Sequence, residues 1–138
     1  MPPLRTILVA LMAGMLASHA ALPLKSLREM QKKAPEKLKI EVTEVDRKKS
    51  RAGGIAGFDF TITADVESVI ESAAGLEAGD EIKITYWRPD LTRVRIAGDW
   101  PDALEERETY MAYLRVVDKD GWECEPAASS GSFGPVKK

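Results

Sequence analysis

Four side chains with nucleophilic chemistry, Cys124, Ser129, Ser130 and Ser132, crowd the stretch DGWECEPAASSGSF at residues 120–133. A thiol or hydroxyl attacks only when a base takes its proton, and in Ser- and Cys-based sites that base is usually an imidazole. The chain has a single histidine, His19, within the opening MPPLRTILVALMAGMLASHA. Arg5 there supplies a positive start, Ile7 to Ala17 an apolar run of eleven residues, and Ser18-His19-Ala20 the small residues of a cleavage site. This is the layout of a secretory signal peptide. The run falls short of the roughly 20 residues that a membrane span takes. No second apolar run follows, so no membrane span is expected after cleavage.

Cleavage after Ala20 removes His19 and leaves a chain with one cysteine and no asparagine. Ser-His-Asp and Cys-His catalysis then lack their base. Zinc sites built from several Cys or His ligands are excluded, as is N-glycosylation. The expectation is a non-enzymatic, exported protein, periplasmic or extracellular, without metal or cofactor.

The remaining chemistry lies in charged clusters. Asp118, Asp120, Glu123 and Glu125 suit calcium by donor type but lack the full loop spacing, and read better as a polar hairpin tip. Asp99, Asp102, Glu105, Glu106 and Glu108 offer carboxylate pairs, but acid–base work also needs a cleft and a set separation. Arg47, Lys48, Lys49 and Arg51 form a basic run. With Trp87 and Arg88 they make the candidate ligand-binding set, charge plus a stacking ring suited to an anionic polymer or carbohydrate. Arg88, Arg93 and Arg95 form a second cationic patch if residues 91–96 are a strand, since 93 and 95 would then share a face. Against a polyanionic partner stands the balance of 20 basic and 22 acidic residues, which becomes 19 and 22 once Arg5 is lost. With export, that balance makes nucleic acid an unexpected partner. A protein of the same compartment is the expected partner, and the domain is expected to be a monomer.

The elements that must position these groups follow from hydrophobic periodicity. Residues 21–36 carry Leu24, Leu27 and Met30 between Pro23 and Pro35, and read as a leader or linker with a turn or two of helix. From residue 37 the period becomes two: Leu38, Ile40 and Val42 share one face of a first strand. RKKSRAGGIAG then reads as a basic, Gly-rich connection. Phe58, Phe60, Ile62, Ala64 and Val66 alternate with polar residues in a long second strand that should bend. Ile82, Ile84 and Tyr86 face inward on a third strand, and Trp87 outward. Pro101 opens a possible helical turn. TYMAYLRVV is apolar on both faces and therefore central. Asp120-Gly121 signals a hairpin, with Trp122 to Glu125 as the return strand. Phe133 is expected to plug the barrel, and residues 135–138 to fray.

This element order predicts an all-β fold. It is a small five-stranded OB-like Greek-key barrel over residues 37–134, with a short helical or irregular segment between the third and fourth strands. The run Ile70-x-Ser72-Ala73-Ala74-Gly75-Leu76-Glu77-Ala78-Gly79-Asp80 and the strand after it resemble the turn and strand of netrin-like OB domains. So do Pro101-x-x-Leu104, the Tyr110-x-x-Tyr113-Leu114 strand and the ending at Phe133. Tissue inhibitors of metalloproteinases share that broad fold, and small exported bacterial proteins of unknown role resemble it too. The resemblance implies fold rather than function. The inhibitors' N-terminal cysteine has no counterpart at Ala21-Leu22, so no inhibitory residue carries over. Arg107 stands where such domains often have a turn glycine.

Overall fold

β-Branched and aromatic residues at alternate positions give extended chain, and bulges decide which face they meet. The computed structural model describes residues 22–136. Its elements are α1 (Leu24–Lys33), β1 (Glu36–Ala52), β2 (Ile55–Ser72), β3 (Glu81–Pro89), β4 (Thr109–Asp118), β5 (Glu123–Pro126), a 3₁₀ turn (Ser129–Gly131) and β6 (Phe133–Pro135). The strands run in the order β1-β2-β3-β5-β4, and β4 pairs back onto β1. That pairing closes a five-stranded barrel, with β3 and β5 parallel and the other barrel pairs antiparallel. Such an order is compatible with an OB-like fold. β6 is a short addition on the outer part of β4.

The core is the one that alternation predicts. Leu38, Ile40, Val42, Ile62, Ala64, Ile82, Ile84, Ala112, Leu114 and Cys124 are fully buried inside the barrel. β4 is indeed central, bonded to β1, β5 and β6. Phe133 reaches the core from β6 and packs on Tyr86 and Tyr110.

Two bulged regions break the simple period. Val42 pairs with Ala64 and Glu44 with Thr63, which leaves Thr43 as the extra residue of β1. Inward positions on β1 therefore switch from even to odd numbers, and Val45 packs against the core. In β2, Glu67 and Ile70 are skipped in the pairing, so Val69 follows Val66 inward and Ile70 is turned out. A bulge adds one residue and a local bend, which is how long strands follow a small barrel.

Several expectations are corrected. The basic run is not a connection: Arg47 to Ala52 continue β1, and the true turn is the two residues Gly53-Gly54, with φ of 57° and 80°. Positive φ at both positions is the geometry of a tight hairpin between twisted strands. The segment read as a leader folds as α1, ends at Lys33 and passes through an extended Ala34 before Pro35. A residue preceding proline is disfavoured in the helical region. Residues 91–96 form no strand, because Arg93 and Val94 donate to the Asp90 carbonyl in a turn. The stretch after Pro101 has no helical turn. There the Asp102 carbonyl accepts from the Tyr86 hydroxyl, and the Glu105 N–H donates to the Tyr110 hydroxyl. Trp122 precedes the return strand, at φ 50° in the turn. Phe133 to Pro135 are strand; the last residues of the expected frayed tail lie outside the described residues, as does the leader of residues 1–20. Arg107 takes φ 68°, a glycine-like conformation, and its N–H donates to the Val42 carbonyl.

Candidate binding surface

Beyond Val45, β1 pairs among the described residues with β2 alone, and β2 pairs with β3 as far as Pro89, so this end is a ribbon of β1, β2 and β3 that narrows to β1 and β2 at its tip. Residues directly opposite in antiparallel strands share a face. Arg47 lies opposite Phe60, which lies opposite Tyr86; Lys49 lies opposite Phe58, which lies opposite Arg88. Arg51 follows at the same spacing. One face therefore carries Arg47, Lys49, Arg51 and Arg88 over Phe58 and Phe60. The other carries Lys48, Asp59 and Trp87 in one row. Of the six expected binding residues, the fold brings four together and turns Lys48 and Trp87 away.

Aromatic rings floor the cationic face. The Arg47 guanidinium carbon stands 5.0 Å from the Phe58 ring centre. Phe58 meets Phe60 edge to face at 6.4 Å, and Phe60 stacks on Tyr86 at 5.2 Å. Cation–aromatic contact of this kind contributes about 0.5–1 kcal/mol at exposed sites and holds the guanidinium over the ring. A cleft of about 320 Å³ opens beside it, lined by Lys49, Ser50, Arg51, Ala56, Gly57, Phe58, Asp90 and Arg93. Arg93 comes from the turn after β3; Arg95 is not among the lining residues.

Trp87 is not a free stacking ring. It is half-buried, and its indole lies across Gly57 on the far face of the ribbon. A Cβ at position 57 would overlap both that ring and the Arg88 carbonyl. Glycine here lets β2 and β3 approach with a tryptophan between them.

The charge on this surface is largely uncompensated. The ion pairs among the described residues are Lys37–Glu71, Lys39–Glu67 and Arg115–Glu125, all away from the ribbon. Arg47, Lys48, Lys49, Arg51, Arg88 and Arg93 have none. Asp90 is the one carboxylate in the cleft lining. The Thr92 hydroxyl donates to Asp90 Oδ1 at 2.5 Å. That bond, with the nearby Arg93 and Arg47 charges, holds the carboxyl below its usual range. Ser50 Oγ, Trp87 Nε1 and Arg88 Nε are buried without a hydrogen-bond partner among the described residues. Glu36 Oε2, at the start of β1, is a fourth such atom.

The other candidate clusters are occupied by structure. Asp99 Oδ1 accepts from the Ser130 N–H at 2.6 Å, and Oδ2 from the Ser130 hydroxyl at 2.9 Å and the Leu22 N–H at 3.0 Å. The Ser129 hydroxyl donates to the Asp99 carbonyl at 3.0 Å. Partial burial opposes the carboxylate's charge, but the bonds from Ser129, Ser130 and Leu22 outweigh it and hold Asp99 below its usual range. Glu106 Oε1 accepts from the Val45 N–H. At the β4–β5 hairpin, Asp118 accepts from the Asp120 N–H and Glu125 pairs with Arg115. No group of three or more His, Cys, Asp or Glu among the described residues is placed to hold a metal ion.

Sequence reading missed Phe58 as the floor and Arg93 and Asp90 as part of the wall. Phe58 carried a signal, since its position opposite Lys49 follows once Gly53-Gly54 is taken as a two-residue turn. Arg93 was read as part of a cationic patch, but its place beside Lys49 and Arg51 carried no signal, because it depends on a turn after β3. Compared with protein-family models, curated proteins and solved structures, the chain finds no match.

Proposed function

We propose that this chain is an exported, non-enzymatic OB-like domain that binds a protein of its own compartment through the cationic face of the β1–β2 ribbon. The observation that carries this reading is the set Arg47, Lys49, Arg51, Arg88 and Arg93. These cations have no ion pair among the described residues; Lys49, Arg51 and Arg93 line the cleft with Phe58, and Arg47 stands over the Phe58 ring. Charges left uncompensated at one end of a net-acidic chain steer an acidic partner and fix its orientation. OB-type barrels present ligands to strands 2 and 3 and to the loop joining strands 1 and 2, the part of the barrel where these residues lie. Export follows from the leader-like residues 1–20, and the absence of catalysis from a secreted chain without histidine. Kinship with netrin-like domains, on the Gly75–Asp80 turn and the strands that flank it, belongs to the same proposal.

The test is a pull-down with residues 21–138 from envelope or culture fractions, beside the double variant Arg47→Glu/Lys49→Glu. Saturable capture of a protein by the parent and its loss in the variant, at an unchanged urea midpoint, is the expected result. Equal capture by both overturns the reading. The same unpaired charge also favours a second reading, an anionic polymer or carbohydrate. In that case affinity falls linearly on a logarithmic salt scale, and salt-independent binding removes it.

A further inference from the structure

β1 bonds to β2 along its whole length, but to β4 only from Glu36 to Glu41. Next to that pairing, Val42 exchanges bonds with Glu108 and Arg107, and the Val45 N–H donates to Glu106 Oε1 at 3.2 Å. From Asp46 to Ala52 this edge has no strand neighbour among the described residues. In an antiparallel pair, alternate residues turn both N–H and C=O to the same side. The Val45 N–H points outward, and the pairing runs without a shift from Val45 to Ala52. Arg47, Lys49 and Arg51 therefore present an outward row of donors and acceptors, and their side chains are all cationic.

Such an edge invites an added strand, and its charges decide which. A second copy of the same edge would set cations against cations, which is unfavourable. Glu106 closes the barrel end of the row, both by taking the Val45 N–H and by its own negative charge. An acidic strand meets opposite charge at each of the three positions.

We infer that the β1 edge from Arg47 to Arg51 receives an extended acidic segment of a partner protein as an added β-strand. The inference rests on the protein-binding reading above and specifies its mode: backbone bonds hold the segment and alternate cations select it.

The probe is a synthetic eight-residue peptide of alternating Glu and Val. Its control is the same peptide N-methylated at alternate amides, one control for each of the two sets, which keeps the charge and removes the donors. At low ionic strength the parent peptide should slow hydrogen exchange at the Arg47, Lys49 and Arg51 amides by at least about tenfold. One methylated control should bind at least about tenfold more weakly. In the protein, Lys49→Pro should weaken binding beyond Lys49→Ala, since proline removes an outward N–H that an edge strand does not need for folding. If Lys49→Pro fails to fold, the peptide controls decide alone. Equal binding of parent and both controls, binding without amide protection, or no binding of the parent peptide overturns the edge inference. Each of these leaves the broader reading to the pull-down, where unchanged capture by Arg47→Glu/Lys49→Glu would sink it.

Discussion

The Cys124 thiol is fully buried and approaches the Trp122 carbonyl at 3.6 Å. Burial first, and then the negative charge of Glu36, push its pKa up to about 12. At pH 8 the thiolate is then on the order of one molecule in ten thousand. Since the thiolate is the reactive form, alkylation of the folded protein should run at least about a hundredfold slower than in denaturant. Mass spectrometry over a time course measures this, and modification at equal rates would contradict burial. The neighbouring serines have structural duties. Ser132 Oγ accepts from the Ala128 N–H, and Ser129 and Ser130 hold Asp99. Beyond Ala20 the sequence holds no histidine, so no imidazole base for these hydroxyls was expected from that part of the chain. Their partner was not readable: Asp99 lies 30 residues before Ser129, and only the fold brings the two loops together.

At the scale of elements, β1, β2 and β3 pack as closely as Gly57 allows. Gly57→Ala should destabilise by about 1–3 kcal/mol, because the new methyl must displace the Trp87 ring or part β2 from β3. A urea titration measures it. A variant as stable as the parent would mean that the indole moves away at little cost, and the ribbon would then be looser than described. The long second strand and the inward residues of β3 follow from alternation, which the barrel wall imposes on side chains facing a dry core. The ribbon was harder to read. Lys48, Lys49 and Arg51 are strand residues of low apolar content, so no buried face marks them. The shift of inward positions at Thr43 hides the continuity between Val42 and Val45. The possible strand at residues 91–96 failed for the opposite reason: its alternation had no neighbour to pair with, and Asp90 captured its first N–H groups in a turn.

The described residues form a barrel closed by β1–β4 pairing, with side-chain bonds that hold α1 and Leu22 against the 3₁₀ turn and Asp99. Gln31 of α1 donates to the Gly131 carbonyl at 2.8 Å, and Asp99 joins Leu22 to the 3₁₀ turn. Because Asp99 is held below its unfolded pKa of about 3.9, its contribution is present above that pH and lost as pH falls through the folded value. The stability gap between the parent and Asp99→Ala should therefore be wide at pH 7 and begin to close only as pH falls below about 4, measured by urea titrations from pH 7 downward. A gap independent of pH would show that the carboxylate's charge has no part in the clamp.

Sequence by itself determined what the core contains, that the domain is a β-barrel, and that a secreted form lacks an imidazole. These follow from local periodicity and composition, which need no knowledge of distant partners. Tertiary structure alone decided that the basic run is a strand with an open edge, that Trp87 covers Gly57, and that Arg93 joins Lys49 and Arg51. It also decided that Ser129 and Ser130 serve Asp99. Each of these depends on which face a residue meets after a bulge, or on which loops closure of the barrel brings into contact. Register and closure are set by the sum of non-local pairings rather than by any one segment.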